Sequence, residues 1–501
     1  MRYTSTRDNN VSVSAAQAVV QGISPEGGLY VPEKLPQLTV SEINALTKMD
    51  YVGRAAFVLS KFFTEEGPDG WEPEELSRCV KAAYGGTFRD PAVAPVKALG
   101  GGGRSYLLEL FHGPTCAFKD LALQLLPRLL TASAQKVLQG KEIVILTATS
   151  GDTGKAALEG FKDVPGTRII VFYPSEGVSD LQRLQMVTQE GANVGVVGVE
   201  GNFDDTQSGV KSIFTCPSLR AELEARDRVF SSANSINWGR LAPQIVYYVS
   251  AYCDLRREGK IAAGEKINFV VPTGNFGNIL AAYYAREMGL PVARLICASN
   301  RNRILTDFLA TGVYDRRRDF YTTLSPSMDI LISSNLERLL YAVSGCDAGA
   351  VSGWMGALSR DGSYEIPETL LKALQKTFAA GSCNDTQTKG TIRQTYTRLG
   401  YLSDTHTAVG LRALEDYRGA TGDNAVSVVV STASPYKFAD SVLSAITGGG
   451  SALRGFEAIA ALEALTGVPC PAPLKSLREK PIRFTELCQP GDMAEFVANE
   501  Q

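Results

Sequence analysis

The sequence predicts an α/β protein: two lobes of mostly parallel sheet flanked by helices, with an extra N-terminal region. Three observations carry this. From about residue 105, short β-branched runs alternate with helix-length amphipathic segments, the order expected of βαβ units. A second series of the same kind opens near residue 267. Gly100 to Gly103 interrupt the chain just before the first series.

In chain order, residues 1–99 form the N-terminal mixed region, with the turn signal Ser-Pro-Glu-Gly-Gly at 24–28 and a helical stretch, SEINALTKMDYVGRAAFVLSKFF. Residues 100–230 form the first α/β lobe. It begins with the strand SYLLEL and continues through EIVILTAT, GDTGKAALEGFKD, RIIVFYP, VSDLQRLQMVTQEG, NVGVVGVEG and DTQSGVKSIF. Residues 231–501 form the second lobe, in which INFVVPTG runs into NFGNILAAYYAREMG and then ARLICASN, and AVSVVVSTAS supplies a later buried strand. The segment at about 305–420 reads as largely helical. No solenoid-length repeat or low-complexity tract interrupts this order.

Composition narrows the function. A chain of 501 residues corresponds to about two to four domains. Lys plus Arg (50) balances Asp plus Glu (53), so no broad basic field exists to attract nucleic acid or an anionic membrane. Arg316, Arg317 and Arg318 read as a solvated face. The start, MRYTSTRDNN, lacks an apolar h-region, so no secretory signal is expected. No segment reaches the roughly 18 to 20 apolar residues of a membrane span. Nine scattered cysteines without a C-x-x-C pair imply reduced thiols in a cytoplasm, and with only two histidines no metal site is expected.

The candidate chemistry lies in loops at the carboxyl ends of strands, where ligands bind open parallel sheets. In LELFHGPTCAFKDLALQLLPRLL, Lys119 stands where a Gly-Pro-Thr turn becomes an apolar helix. In TATSGDTGKAALEG, Ser150, Asp152 and Thr153 offer hydroxyls and helix-start N–H groups that suit an anion, and the same residues equally suit a helix cap. This loop is not a P-loop, because Gly151 to Lys155 is only G-x-x-G-K and Ala156 follows. VPTGNFGNILAAYY places Gly274, Asn275, Phe276, Gly277 and Asn278 at a strand-to-helix turn, an anion cradle without a lysine. SSANSINWGRLAPQ clusters Asn234, Ser235, Asn237 and Arg240, either a shell for a carboxylate or phosphate or an Asx-rich turn. VVVSTASPYKFADS ends a buried strand in Ser431 and Thr432, whose hydroxyls can cap a helix or meet a ring nitrogen. No G-x-G-x-x-G follows the first strand with an acidic residue about 20 positions on, which removes a Rossmann dehydrogenase.

Together, YTSTRDNN, GISPEGGLYVPE, FHGPTCAFKD, LTATSGDTG, NSINWGR, VPTGNFGN, THTAVG and STASPYKF, in this order across nearly the whole chain, resemble the threonine synthase family. These are pyridoxal-phosphate enzymes of the tryptophan-synthase-β fold group, known as fold type II. The resemblance implies that pyridoxal 5'-phosphate is the cofactor and that Lys119 forms the Schiff base with it. Gly274, Asn275, Phe276, Gly277 and Asn278 would cradle the cofactor phosphate, and Thr432, or less readily Ser431, would bond the pyridine nitrogen. Ser150, Asp152 and Thr153 would hold the substrate α-carboxylate, and Asn234, Ser235 and Arg240 the substrate phosphate. The implied reaction is a β,γ-replacement that converts O-phospho-L-homoserine and water to L-threonine and phosphate in threonine biosynthesis, by a cytoplasmic monomer or homodimer. The lysine and cradle would equally serve a phospho-lyase releasing 2-oxobutyrate. A non-catalytic binding protein on the same fold is the alternative of another class. The family usually carries a histidine where Ser434 stands and a proline where Thr405 stands; His112 and His406 fit either a structural or a site role.

Overall fold

The computed structural model describes residues 1–65, 67–100, 103–149, 151–175 and 178–499. Residues 101 and 102 of the glycine break therefore lie outside it. Two sheets dominate. The larger has six strands in the order Phe378–Ser382, Val292–Ser299, Ile267–Pro272, Ser427–Ser431, Ser105–Glu109 and Val96–Ala98. All neighbours are parallel except the last pair. The smaller is parallel throughout, in the order Leu487–Cys488, Val194–Val199, Thr167–Pro174, Glu142–Ala148 and Arg228–Ser231. Central strands such as Ile267–Pro272 and Val194–Val199 are buried along their whole length, as helices on both faces require.

The sheets divide the chain differently from the expected boundary at residue 100. Ser105–Glu109 pairs with Ser427–Ser431 and so belongs with the strands of the C-terminal half, while Leu487–Cys488 returns to the edge of the smaller sheet. An apolar run reveals a buried strand but not its partner, which is set by long-range packing. The segment about 305–420 holds six α-helices from Ile304–Thr311 to Thr405–Thr421 and the 3-10 turn Pro326–Met328, and it supplies the edge strand Phe378–Ser382 and the two-stranded pair Val313–Asp315 with Ser363–Glu365.

The N-terminal region is built around a three-stranded antiparallel sheet with Arg2–Ser5 between Val13–Ser14 and Tyr30–Pro32. Its helix Tyr51–Phe63 packs on the long helix Trp238–Arg257, whose residues from Trp238 to Leu255 are all buried. The buried Arg54 pairs with Asp254 at 2.7 Å and donates to Ser250 Oγ at 2.8 Å, so the contact is polar as well as apolar. Thr6 and Arg7 of the opening motif reach Glu337 at 2.6 to 2.8 Å. Among the described residues no helix is long and apolar enough to cross a membrane.

Candidate active site

Lys119 is placed by a turn that its own motif locks. Asp120 Oδ2 accepts the Thr115 N–H at 2.9 Å and Oδ1 accepts the Thr115 hydroxyl at 2.7 Å. Gly113 is obligatory, since a β-carbon there would lie 2.5 Å from the Asp120 side chain. Cys116 takes a left-handed φ of 61°, at a cost of order 1 kcal/mol. That geometry turns the chain alongside residues 432–434: Phe118 N–H donates to the Thr432 carbonyl at 2.8 Å and Ser434 N–H to the Cys116 carbonyl at 3.0 Å. Lys119 thereby caps the short helix Asp120–Leu123 beside the end of the central strand Ser427–Ser431.

The Lys119 side chain is 10% exposed. Its ammonium has no close carboxylate: Asp152 Oδ2 is 4.0 Å away and Ser327 Oγ 3.4 Å. Burial lowers its pKa to about 8; Asp152 opposes this, while Arg240 and Lys437 reinforce it. About a tenth is thus the free amine at pH 7, far more than for an ordinary lysine, and this is the form that attacks an aldehyde.

Asp152 opens the helix Asp152–Phe161, and its carboxylate is already engaged. Lys437 Nζ approaches Oδ1 at 2.9 Å, and Gln182 Nε2 donates to the same oxygen at 3.0 Å. Burial alone would raise the Asp152 pKa, but Lys437 and Lys119 hold it well below the usual carboxylate range. A locked, ionised carboxylate repels another carboxylate. Any anion bound here meets helix-start N–H groups and the half-buried Thr153 instead. Ser150 lies outside the described residues. Thr149, which the sequence reading passed over, organises this loop through its hydroxyl, accepting from Gly151 N at 3.0 Å and Gly154 N at 2.9 Å.

The cradle follows the strand Ile267–Pro272 and opens the helix Gly277–Glu287. The loop carbonyls face away from the site: Gly274 O accepts the Ser333 hydroxyl at 2.7 Å, and Asn275 O accepts Asn335 N and Nδ2, each at 3.1 Å. The helix-start N–H groups remain for an anion. Gly274 admits the Ser327 carbonyl, which would sit 2.7 Å from a β-carbon. Phe276 adopts φ 61°, with its ring buried 5.9 Å from that of Phe378. Asn275 is exposed. Asn278 accepts the hydroxyls of Tyr247 and Tyr248 at 2.6 and 2.5 Å, and its buried Nδ2 has no hydrogen-bond partner among the described residues.

The remaining predicted residues separate by occupation. The Arg240 guanidinium is buried, donates to the Ala233 carbonyl at 2.9 Å, and meets no carboxylate among the described residues; burial pulls its pKa down to about 10. Asn234 and Ser235 are half-buried and join the turn through their backbones: Asn234 N–H donates to Ser232 Oγ at 3.2 Å, and Asn335 Nδ2 donates to Ser235 O at 3.2 Å. Asn237 is a structural cap, accepting from Gly239 N and donating to the Val19 and Ser232 carbonyls. The Ser431 hydroxyl lies 3.2 Å from Tyr401 and 3.1 Å from Thr407, whereas the Thr432 side chain makes no hydrogen bond among the described residues and is free for a ligand. His112 is paired with Glu109 at 2.9 Å, and His406 bridges Asp404 and Ser327 N at 3.1 and 3.2 Å. Thr405 is the first residue of its helix, where a proline costs nothing, and Ser434 caps the 3-10 turn Pro435–Phe438.

Comparison with known proteins gives the family. The family model for the threonine synthase N terminus matches residues 2–84, that for pyridoxal-phosphate dependent enzymes residues 92–433, and that for the threonine synthase C-terminal part residues 407–497. The threonine synthase of Pseudomonas aeruginosa is 40% identical over 453 residues, 90% of this chain and 92% of that protein. Threonine synthase-like 1 of Homo sapiens is 40% identical over 457 residues, 89% of this chain; the chain spans 60% of that relative's length. A crystal structure of pyridoxal-phosphate-bound threonine synthase from Brucella melitensis superposes with a TM-score of 0.87 at 38% identity, covering 99% of each chain.

The residues present fit the cofactor. A nucleophilic amine, a set of helix-start N–H groups with an unpartnered Asn278 amide, and a free Thr432 hydroxyl match an aldehyde, a phosphate and a ring nitrogen respectively. The chain belongs to the threonine synthase family of pyridoxal-phosphate-dependent, fold type II enzymes.

Proposed function

We propose that this protein converts O-phospho-L-homoserine and water to L-threonine and phosphate. The observation that carries the reading is the pair of separate anion sites around one amine: the N–H cradle at 274–278, and Arg240, buried without a carboxylate and close enough to depress Lys119. A phosphorylated substrate on a phosphorylated cofactor needs two such sites. An unphosphorylated amino acid needs one.

Bound pyridoxal phosphate supplies an electron sink for carbanions formed at Cα and Cβ. The chain's own groups do the rest. Lys119 would be the residue that holds the cofactor aldehyde, and its amine would carry protons away from the substrate Cα and Cβ and return them to Cγ and Cα. The Thr432 hydroxyl would be the residue facing the ring nitrogen, and a hydroxyl would not hold that nitrogen protonated as a carboxylate would. Thr153 and the N–H groups opening the helix Asp152–Phe161 take the α-carboxylate, with the Asp152 side chain fixing the loop through Lys437. Arg240, Asn234 and Ser235 take the substrate phosphate, which leaves from Cγ before water adds at Cβ.

A time course with O-phospho-L-homoserine, counting phosphate against threonine and 2-oxobutyrate, tests this. One threonine per phosphate, abolished in Lys119→Ala, is expected. Phosphate with 2-oxobutyrate would identify a phospho-lyase, and no phosphate would remove the substrate.

A further inference from the structure

One part of the site has no counterpart in the motifs that led to it. The segment Pro326–Met328 forms a 3-10 turn against both Lys119 and the cradle. Ser327 Oγ lies 3.4 Å from Lys119 Nζ, closer than Asp152 Oδ2 at 4.0 Å, and the Ser327 carbonyl occupies the space left by the missing side chain of Gly274. Its backbone N–H donates to His406 Nε2 at 3.2 Å. Because an amide N–H can only donate, Nε2 accepts and the ring proton sits on Nδ1, facing Asp404 Oδ1 at 3.1 Å. Asp404 is fully buried and is itself fixed as the cap of the helix Thr405–Thr421, accepting from His406 N at 2.8 Å and from the Thr407 hydroxyl. The His406 ring also packs against Phe438, 4.9 Å between centroids, one residue from Lys437.

We propose that Ser327 is a catalytic residue whose hydroxyl orients the Lys119 amine, and that Asp404 and His406 are positioning residues acting through the Ser327 backbone. The assignment rests on Lys119 being the reactive amine. A hydroxyl accepting one N–H of the amine fixes the direction of its lone pair, and the His406 contact fixes the hydroxyl's position relative to the cradle. The turn is otherwise held by its packing on Gly274 and by the buried Met328. The neighbouring Ser325 and Asp329 secure its ends through Asn300, but neither reaches Lys119.

The test measures the rate at which the cofactor-free, full-length protein captures pyridoxal phosphate into its visible absorption band, together with kcat and KM of the loaded enzyme. Ser327→Ala is expected to slow capture and to lower kcat about tenfold or more, with KM and the thermal midpoint little changed from the parent. His406→Leu should slow capture similarly, and His406→Gln, whose amide oxygen can accept the Ser327 N–H, should recover most of the loss. The double variant Ser327→Ala with His406→Leu should be no slower than Ser327→Ala alone, since both act at one point. Capture by Ser327→Ala at the wild-type rate, or further slowing in the double variant, would overturn the proposal. If Ser327→Ala does not fold, the His406→Gln and His406→Leu pair decides, because equal capture by the two also overturns it. Undiminished capture by Lys119→Ala would instead overturn the reading of Lys119.

Discussion

Two turns lying side by side each present a lysine to Asp152, and only one of those lysines has the carboxylate at a close ion-pair distance, 2.9 Å against 4.0 Å. At 113–119 the ammonium of Lys119 finds Asp152 Oδ2 at 4.0 Å and a hydroxyl at 3.4 Å. At 433–438 that of Lys437 is fully buried and fully satisfied: Asp152 Oδ1 at 2.9 Å, the Thr115 carbonyl at 3.0 Å and Gln185 Oε1 at 3.1 Å. The turns touch through Ala117 and Ala433, so position in the fold does not distinguish them. The difference is pairing. Burial depresses a lysine when no close anion compensates, and Lys437, by taking up the Asp152 charge, leaves Lys119 less compensated. Lys437 is thus the close counter-ion of Asp152.

Substitutions can break this comparison. The largest effect is expected from Lys119→Ala, which removes covalent attachment and about 10^3-fold or more of turnover, read by loss of the visible band and of product. Lys437→Met should keep attachment but leave Asp152 buried and unpaired. A loss of about 3–5 kcal/mol of stability is expected by urea titration. A Lys437→Met protein as stable as the parent would show that the ion pair is not structural. Arg240→Lys exchanges a planar fork for a point charge, so KM for O-phospho-L-homoserine should rise about tenfold or more while loading with cofactor is retained.

The smallest effect sharpens the comparison most. Capture of pyridoxal phosphate requires the neutral amine, so its rate should rise with pH and reach half its limit near the Lys119 value of about 8. Asp152 raises that value and Lys437 lowers it. Asp152→Asn should therefore move the midpoint downward, and Lys437→Met upward. A midpoint that stays fixed in both variants would show that burial alone sets the amine.

Much of this was legible in the sequence because the informative residues lie in contiguous loops. Lys119, the glycines of the cradle and Arg240 fall in short segments whose local chemistry already suggests an anion or a nucleophile. The two α/β series were legible as well, through their β-branched runs. What stayed hidden depends on long-range pairing. Lys437, Asn335, Gln182 and Ser327 are ordinary polar residues in the sequence, and gain meaning only when the strand Ser427–Ser431 and residues 326–338 come against the other loops. The opening motif is a similar case. Thr6 and Arg7 hold Glu337, the next residue, Arg338, donates to the Ile236 carbonyl and Asn335, and Asn335 holds the cradle, so residues near the start support loops more than 200 positions away. Asp152 marks the limit of motif reading: its place in SGDTG suggested a ligand contact, while its carboxylate is committed to Lys437 and Gln182.

The claim that pairing, rather than burial, selects the reactive lysine is tested most directly by borohydride reduction of the pyridoxal-phosphate-loaded protein, followed by peptide mapping. The account predicts a single reduced adduct, on Lys119, with Lys437 unmodified. An adduct on Lys437, or one divided between the two, would contradict it.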